Sequence, residues 1–187
     1  MKKTISIFLS LFIAGSTSFM GAEQMLNGQY TQNVHVRQPN IKDASREFNA
    51  LFPGPYSLTE TELETTREKK IPQLMSSGEV LNSNAKIPAF ALKNNAFVAV
   101  LVKNDKEFII VSSNLKKSND LSVEGLKLDH ENPAYKNLTE DLGFNGKVNL
   151  WGKEYQIKVD PLKNKKGQVI GAFLVGLPVA NEEISPK

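Results

Sequence analysis

Residues 146–176 read GKVNLWGKEYQIKVDPLKNKKGQVIGAFLVG, and this stretch decides the fold. Its first half is rich in strand-forming residues, and Gly152 within it predicts a bulge or turn that splits the strand in two. Residues 163–168, KNKKGQ, are polar and contain a glycine, so they predict the turn of a hairpin. Residues 169–179, VIGAFLVGLPV, are almost continuously apolar and predict a strand that is buried on both faces.

Two further strands are predicted before this hairpin. The segments FVAVLVK and EFIIVSSNL are rich in β-branched and apolar residues, and the polar Asn-Asp-Lys between them predicts a tight turn. We therefore expect residues 97–103, 107–115, 147–159 and 168–177 to form one antiparallel sheet. The last two of these segments are expected to be adjacent strands.

Helices are predicted around this sheet. Apolar residues recur at helical spacing over residues 41–51, and a proline and a glycine follow them. Residues 57–70 carry a capping-box pattern and many charges, so they predict a second, solvated helix. Residues 71–82 predict a turn followed by a short strand, and residues 132–143 predict a short helix that begins at Asn-Pro and ends at a glycine. The expected fold class is α+β, with N-terminal helices packed on a central antiparallel sheet of about five strands.

The composition excludes several classes of site. The chain of 187 residues contains no cysteine, so disulfides, thiolate metal sites and thiol nucleophiles are excluded. It has two histidines, and their separation gives no support to a metal site. The formal charge is +3, and it falls to +1 without Lys2 and Lys3. The remaining lysines are dispersed, so the sequence does not support nucleic-acid binding.

The first 22 residues have the pattern of a secretory signal peptide: two lysines, a short apolar core and small residues after it. Cleavage after Ser18 or Ala22 is expected, and an uncleaved membrane anchor is the alternative. Residues 23–42 are expected to be a lead-in segment. Residues 180–187 are a polar tail too short to span a membrane, so no second transmembrane helix is expected. The protein is therefore expected to be periplasmic or secreted.

Several short motifs occur in a characteristic order and spacing. They are the Gly-x-x-Tyr of residues 152–155, the Asp-Pro of residues 160–161, Gly171, and the Val-Gly of residues 175–176. In this arrangement the chain resembles the single Cache domains of bacterial extracytoplasmic sensors, and most closely the Cache 3/Cache 2 fusion group. The resemblance covers residues 43–179.

The resemblance implies a PAS-like fold with a small-molecule pocket between the sheet and the loops and short helix that cover it. It also implies a sensor without enzymatic activity, and no catalytic, metal or cofactor motif in the sequence suggests otherwise. The expected ligand is a small molecule whose class is left open, with an organic acid or an amine as the examples considered. Because no second membrane helix is expected, signalling would require a partner protein in the envelope.

Strict alternation along residues 107–115 places Ile110, Ser112 and Asn114 on one face, which the resemblance directs into the pocket. In the family the position of Ile110 is often an arginine. Guanidinium groups bind carboxylates bidentately, so this difference leaves the ligand class open.

Tyr155 matches the tyrosine of the family motif and combines an apolar ring with a hydrogen-bonding hydroxyl, so it is the strongest candidate for ligand contact. Tyr135 lies in the predicted covering helix, and Lys158 is one of the lysines that could replace the missing arginine. His130 is interpreted as a loop histidine and Trp151 as a core residue.

Two hypotheses follow. The first is an exported, stand-alone Cache-type domain that binds a small molecule and acts through a partner. The alternative is an envelope interaction scaffold whose Cache pocket has degenerated.

Overall fold

The computed structural model of the protein describes residues 40–63, 71–116, 121–150 and 152–179. They belong to one compact unit, Gln38–Lys187. The expected signal peptide, the lead-in up to residue 39, Trp151 and the tail at 180–187 lie outside the described residues. The elements in chain order are α1 Ile41–Ala50, β1 Tyr56–Leu63, β2 Ile71–Ser76, β3 Glu79–Val80, α2 Lys86–Asn94, β4 Phe97–Asn104, β5 Glu107–Ser113, α3 Pro133–Thr139, β6 Phe144–Leu150, β7 Lys153–Lys163 and β8 Val169–Pro178.

The predicted antiparallel sheet is present and has five strands in the order β5-β4-β8-β7-β6. Strand β8 is central, and all its residues except Leu174 and Pro178 are buried, as its continuous apolar character predicted. The predicted long strand over residues 147–159 is divided into β6 and β7. Gly152 lies at this division with φ of +82°, a conformation that glycine adopts without the steric cost of a side chain.

The sheet has two differently covered faces. On the helix face, which carries Val98, Val100 and Phe173, it packs against α1, α2 and the small sheet β1-β2-β3. The ring of Phe48 on α1 lies 5.1 Å from that of Phe173. On the loop face, which carries the buried side chain of Leu101, the sheet packs against α3 and nearby apolar residues of the loop before it.

Helix α1 begins and ends close to the predicted positions. The side chain of Asn40 accepts a hydrogen bond from the backbone N–H of Lys42 at 2.8 Å and so caps the first turn. Ala44 and Phe48 face the core, as the helical spacing predicted, but Leu51 is exposed and the neighbouring Phe52 is buried in its place.

The helix predicted over residues 57–70 is wrong in the part that the structure describes. Tyr56–Leu63 is a strand that pairs antiparallel with Ile71–Ser76, and residues 64–70 lie outside the described residues. The helix was predicted because Ser57 or Thr59 could cap it. The same segment has threonine at alternate positions, and this pattern favours a strand once a partner strand supplies the backbone hydrogen bonds. Strand β2 was also not predicted, whereas the turn at Ser77 and Gly78 was.

Helix α2 was not predicted either. The side chain of Asn84 accepts a hydrogen bond from the N–H of Lys86 at 3.0 Å, which is a capping signal that could have located the start of this helix. Helix α3 begins at Pro133 behind the Asn132 cap, as predicted. It ends at Thr139, before the predicted glycine.

Candidate ligand site

Strand β5 contains a bulge that reverses the alternation of its side chains. Leu101 of β4 pairs with Ile110, but the preceding residue Val100 pairs with Ser112, so Val111 has no direct partner. An extra residue in one strand moves every later side chain to the opposite face. Ile110 therefore lies on the loop face, whereas Ser112 lies on the helix face beside Val100.

The prediction that Ser112 and Asn114 share a face with Ile110 is wrong for this reason. Ser112 is buried, with 2% of its surface exposed. The side chain of Asn114 accepts a hydrogen bond from Val98 N at 2.8 Å and donates one to Ala96 O at 3.2 Å. Asn114 therefore joins the end of β5 to the backbone at the start of β4, and it lies beside residues of α2 such as Leu92, on the helix side of the sheet.

Lys158 also lies on the helix face, away from the loop face that carries Ile157. Its ammonium group pairs with the carboxylate of Asp160 and lies 3.4 Å from the hydroxyl of Ser45 on α1. The prediction grouped Lys158 with Tyr155, but the two residues are three positions apart in one strand. Side chains at that spacing point to opposite faces.

Asp160 is the centre of a polar cluster between β7 and α1. Its carboxylate accepts hydrogen bonds from Lys158, from the Ser45 hydroxyl and from the Asn49 amide, the last at 3.1 Å. Burial disfavours the charged carboxylate and raises its pKa, but these three donors together outweigh burial, so the pKa of Asp160 lies below its ordinary value. The cluster therefore holds an ionised carboxylate beneath the N-terminal helix.

The loop face contains a partly enclosed cavity with a volume of about 160 Å³. Its floor is the sheet, and its cover is formed by Leu115 and by residues 123–132, which lie between β5 and α3. Twelve of its fifteen lining residues are apolar. The lining consists of Phe97, Ala99, Leu101, Ile110, Leu115, Val123, Leu126, Lys127, Leu128, Asp129, Asn132, Val148, Leu150, Ile157 and Leu174.

The cover is attached to the outer edge of β5 by backbone hydrogen bonds. Ile110 N donates to Leu126 O at 2.9 Å, and Gly125 N donates to Ile110 O at 2.8 Å. Leu128 N donates to Phe108 O, also at 2.8 Å. These bonds satisfy groups of an edge strand that would otherwise be unpaired, and they hold the apolar side chains of the cover over the sheet.

Of the six predicted ligand residues, Ile110 is the one that lines this cavity. Tyr155 lies beside the cavity. Its ring packs edge-on against the lining residue Phe97, with 5.0 Å between the ring centroids. Tyr155 therefore supports one wall of the cavity.

Tyr135 lies on α3 beside the cover. Its hydroxyl donates to Lys106 O at 2.8 Å, and its ring packs against Phe108 and stacks on His130 at 4.2 Å. His130 Nε2 lies 3.0 Å from a carboxylate oxygen of Glu107. These contacts connect the residues just before α3 to the β4–β5 hairpin.

The main lining residues that sequence reasoning missed are Phe97, Leu174 and the leucines of the cover. Phe97 and Leu174 are apolar members of predicted core strands, so their pattern did not distinguish a cavity wall from ordinary packing. The cover has no periodic pattern that would assign its leucines to a face.

The described part of the chain contains no group of three or more histidine, aspartate or glutamate residues that could hold a metal ion. Two polar residues of the rim, Asp129 and Asn132, accept backbone hydrogen bonds. Asp129 Oδ1 accepts from Glu131 N at 3.0 Å, and Asn132 Oδ1 accepts from Ala134 N at 2.9 Å. The arrangement is an apolar cavity with a polar rim.

One comparison with known proteins identifies a family. The family model of the Cache 3/Cache 2 fusion domain matches residues 17–184. No curated protein matches the chain. Within the residues that the structure describes, no helix combines the length and the apolar character needed to cross a membrane. The chain belongs to the Cache 3/Cache 2 fusion domain family, whose domains are generally extracellular, non-enzymatic sensors that bind small molecules.

Proposed function

We propose that this chain is an exported sensor domain that binds a small molecule in the loop-face cavity and acts through a partner protein of the envelope. The observation that carries the proposal is the cavity itself, which lies between the sheet and an anchored cover. Small-molecule sites typically have this composition, mostly apolar with a few polar groups, and their volumes are usually larger, about 300–1,000 Å³.

The position of β7 supports a sensory role. Ile157 lines the cavity on one face of this strand, and the next residue, Lys158, belongs to the polar cluster that binds α1 on the other face. A ligand that displaces β7 would therefore act on the contacts of the N-terminal helix. In this proposal the partner responds to that change.

Ile110 and Phe97 are the proposed ligand contacts among the residues discussed, and Tyr155 is proposed to hold the ring of Phe97 in place. Ser112, Asn114 and Lys158 lie on the helix face and are not proposed as contacts. Tyr135 is proposed to hold the cover.

Ligand binding can be tested by screening small carboxylates, amino acids, amines, purines and neutral compounds by thermal shift. A ligand at 100 times its dissociation constant stabilises the folded state by about 2.7 kcal/mol, which raises Tm by about 5–10 °C in a domain of this size. Methyl NMR then locates the ligand, because the methyl groups of Ile110, Ile157 and Leu174 should shift on binding. A ligand that leaves all three unchanged would contradict the proposed site.

Variants provide a second test. Ala99→Leu places a larger side chain on the cavity floor, since Ala99 is a lining residue directly beside Leu174. We expect it to abolish binding. Lys158→Met should retain binding, because that side chain lies on the helix face, and so should Leu92→Ala, whose side chain is 87% exposed on α2.

The interaction scaffold is the second candidate function. It is favoured by the small cavity and by Asn114, whose amide oxygen and nitrogen each bond a backbone group. In that case no compound would bind at the cavity, and Ala99→Leu would stabilise the protein by filling unused space.

A further inference from the structure

We infer that the ligand of the loop-face cavity is a neutral, mostly apolar molecule about the size of a benzene ring with one small substituent, which carries a hydroxyl or carbonyl group for Asp129 and Asn132. This inference rests on the proposed function and adds the ligand class. It differs from the two examples considered from the sequence, an organic acid and an amine.

The volume of the cavity limits the size of the ligand. A cavity of about 150 Å³ lined by leucine, isoleucine and phenylalanine accommodates benzene in another protein. The cavity here has a similar volume, about 160 Å³, and a similar lining. A fused two-ring compound or a long acyl chain would have to displace the cover or extend out of the open side of the cavity.

The lining makes the binding of a charged ligand unfavourable. Its two charged residues, Lys127 and Asp129, have opposite signs, so the rim favours neither an acid nor an amine. The remaining walls are apolar apart from Asn132, and burying an unpaired charge against apolar groups is strongly unfavourable. Arg46, the single arginine in the described part of the chain, lies on α1 and pairs with Asp43.

The polar rim can still accept one hydrogen-bonding group. Asp129 and Asn132 each use one side-chain oxygen in a backbone hydrogen bond. The second carboxylate oxygen of Asp129 and the amide N–H groups of Asn132 have no hydrogen-bond partner among the described residues. A ligand hydroxyl could donate to the Asp129 carboxylate and accept from the Asn132 amide. A ligand carbonyl could accept from Asn132.

Three probes of matched size test the ligand class: benzyl alcohol, benzoate and benzylamine. Each is titrated into the purified protein while the methyl signals of Val148, Ile157 and Leu174 are recorded. We expect benzyl alcohol to shift these signals and to bind at least about tenfold more tightly than either charged probe.

Size is tested with 2-naphthalenemethanol, which adds a second ring to the same alcohol. Wild-type protein should bind it at least about tenfold more weakly than benzyl alcohol. Leu174→Ala removes part of the cavity wall and should restore its binding, whereas the exposed control Leu92→Ala should not.

The outcomes separate the two proposals. If benzoate or benzylamine binds more tightly than benzyl alcohol at the same methyl groups, the ligand class is wrong and the sensor function stands. If benzyl alcohol does not shift these methyl groups, the inferred class is overturned. If, in addition, the broad screen finds no compound that shifts them, the proposed function fails as well.

Discussion

Asp160 illustrates how one residue of the family motif acquires a structural role. Its side chain is about one-quarter exposed, and three donors from β7 and α1 converge on it. A partly buried carboxylate is tolerated only when such donors replace its water. The residue therefore holds α1 on the sheet.

Asp160→Asn should destabilise the protein by about 1–3 kcal/mol near neutral pH, because the Lys158 ammonium loses its anionic partner in a partly buried position. The pKa of Asp160 is lowered by folding, so its ionised form stabilises the protein above the unfolded value of about 3.8. That contribution is lost as the pH falls through the lower folded-state pKa. Urea unfolding of the wild-type protein and of Asp160→Asn, from neutral to acidic pH, measures this effect. The difference between their free energies of unfolding should shrink as the pH falls.

Glu154→Gln is the matched control. Glu154 pairs with Lys147 at 2.9 Å, but both side chains are about half exposed, and exposed ion pairs contribute about 1 kcal/mol or less. An equal loss of stability in the two variants, or a difference for Asp160→Asn that does not depend on pH, would contradict the role of the cluster.

At the scale of the elements, the close pairing of β4 with β8 shapes the cavity. Gly176 lies opposite Phe97, and a Cβ atom added to it would lie 2.0 Å from the Phe97 ring. Gly176→Ala should therefore displace that ring, cost about 1–3 kcal/mol of stability and weaken binding of benzyl alcohol. Chemical unfolding and methyl NMR titration measure the two effects.

Gly171→Ala provides the comparison within the same strand. A Cβ atom there would lie 2.4 Å from the backbone oxygen of Leu101 and 3.0 Å from a methyl carbon of Leu74, which packs on the helix face. This variant should also lose stability but keep the affinity of the folded protein for the probe. Equal weakening of binding in both variants would exclude a specific role for the Phe97 wall.

The cover should behave as an ordered part of the site. The amides of Gly125 and Leu128 donate to β5 at 2.8 Å, so they should exchange with solvent slowly, and more slowly still when the cavity is filled. Hydrogen exchange followed by NMR measures both rates. Rates equal to those of free peptide, or rates that the ligand does not change, would mean that the cover neither forms nor responds as proposed.

At the scale of the whole molecule, the central sheet separates two different sites. The loop face carries the apolar cavity, and the helix face carries α1 and the polar cluster. Because β7 contributes to both, it directly connects the cavity with the N-terminal helix. Export would place this whole arrangement outside the cytoplasm.

We expect the exported protein to have a mature N-terminus between residues 17 and 23, since small residues follow the apolar core of the leader. Mass spectrometry of the protein isolated from its native compartment measures this directly. Recovery of the intact chain from washed membranes would instead support the uncleaved anchor.

The sequence by itself determined the α+β class, the five-stranded sheet and the resemblance to Cache domains. Long apolar strands such as residues 169–179 and the capped helices α1 and α3 carry local signals that tertiary contacts reinforce. Ile110 was assigned to the correct face because it precedes the bulge in β5.

Tertiary structure decided the strand over Tyr56–Leu63 and the positions of Ser112, Asn114 and Lys158. Strand β1 depends on a partner that local propensity does not reveal, and a one-residue bulge reverses a face without leaving a signal in the alternation pattern. The cavity also depends on tertiary structure. Its walls come from five strands and a covering segment that are distant in sequence, so the space between them exists only once the chain has folded.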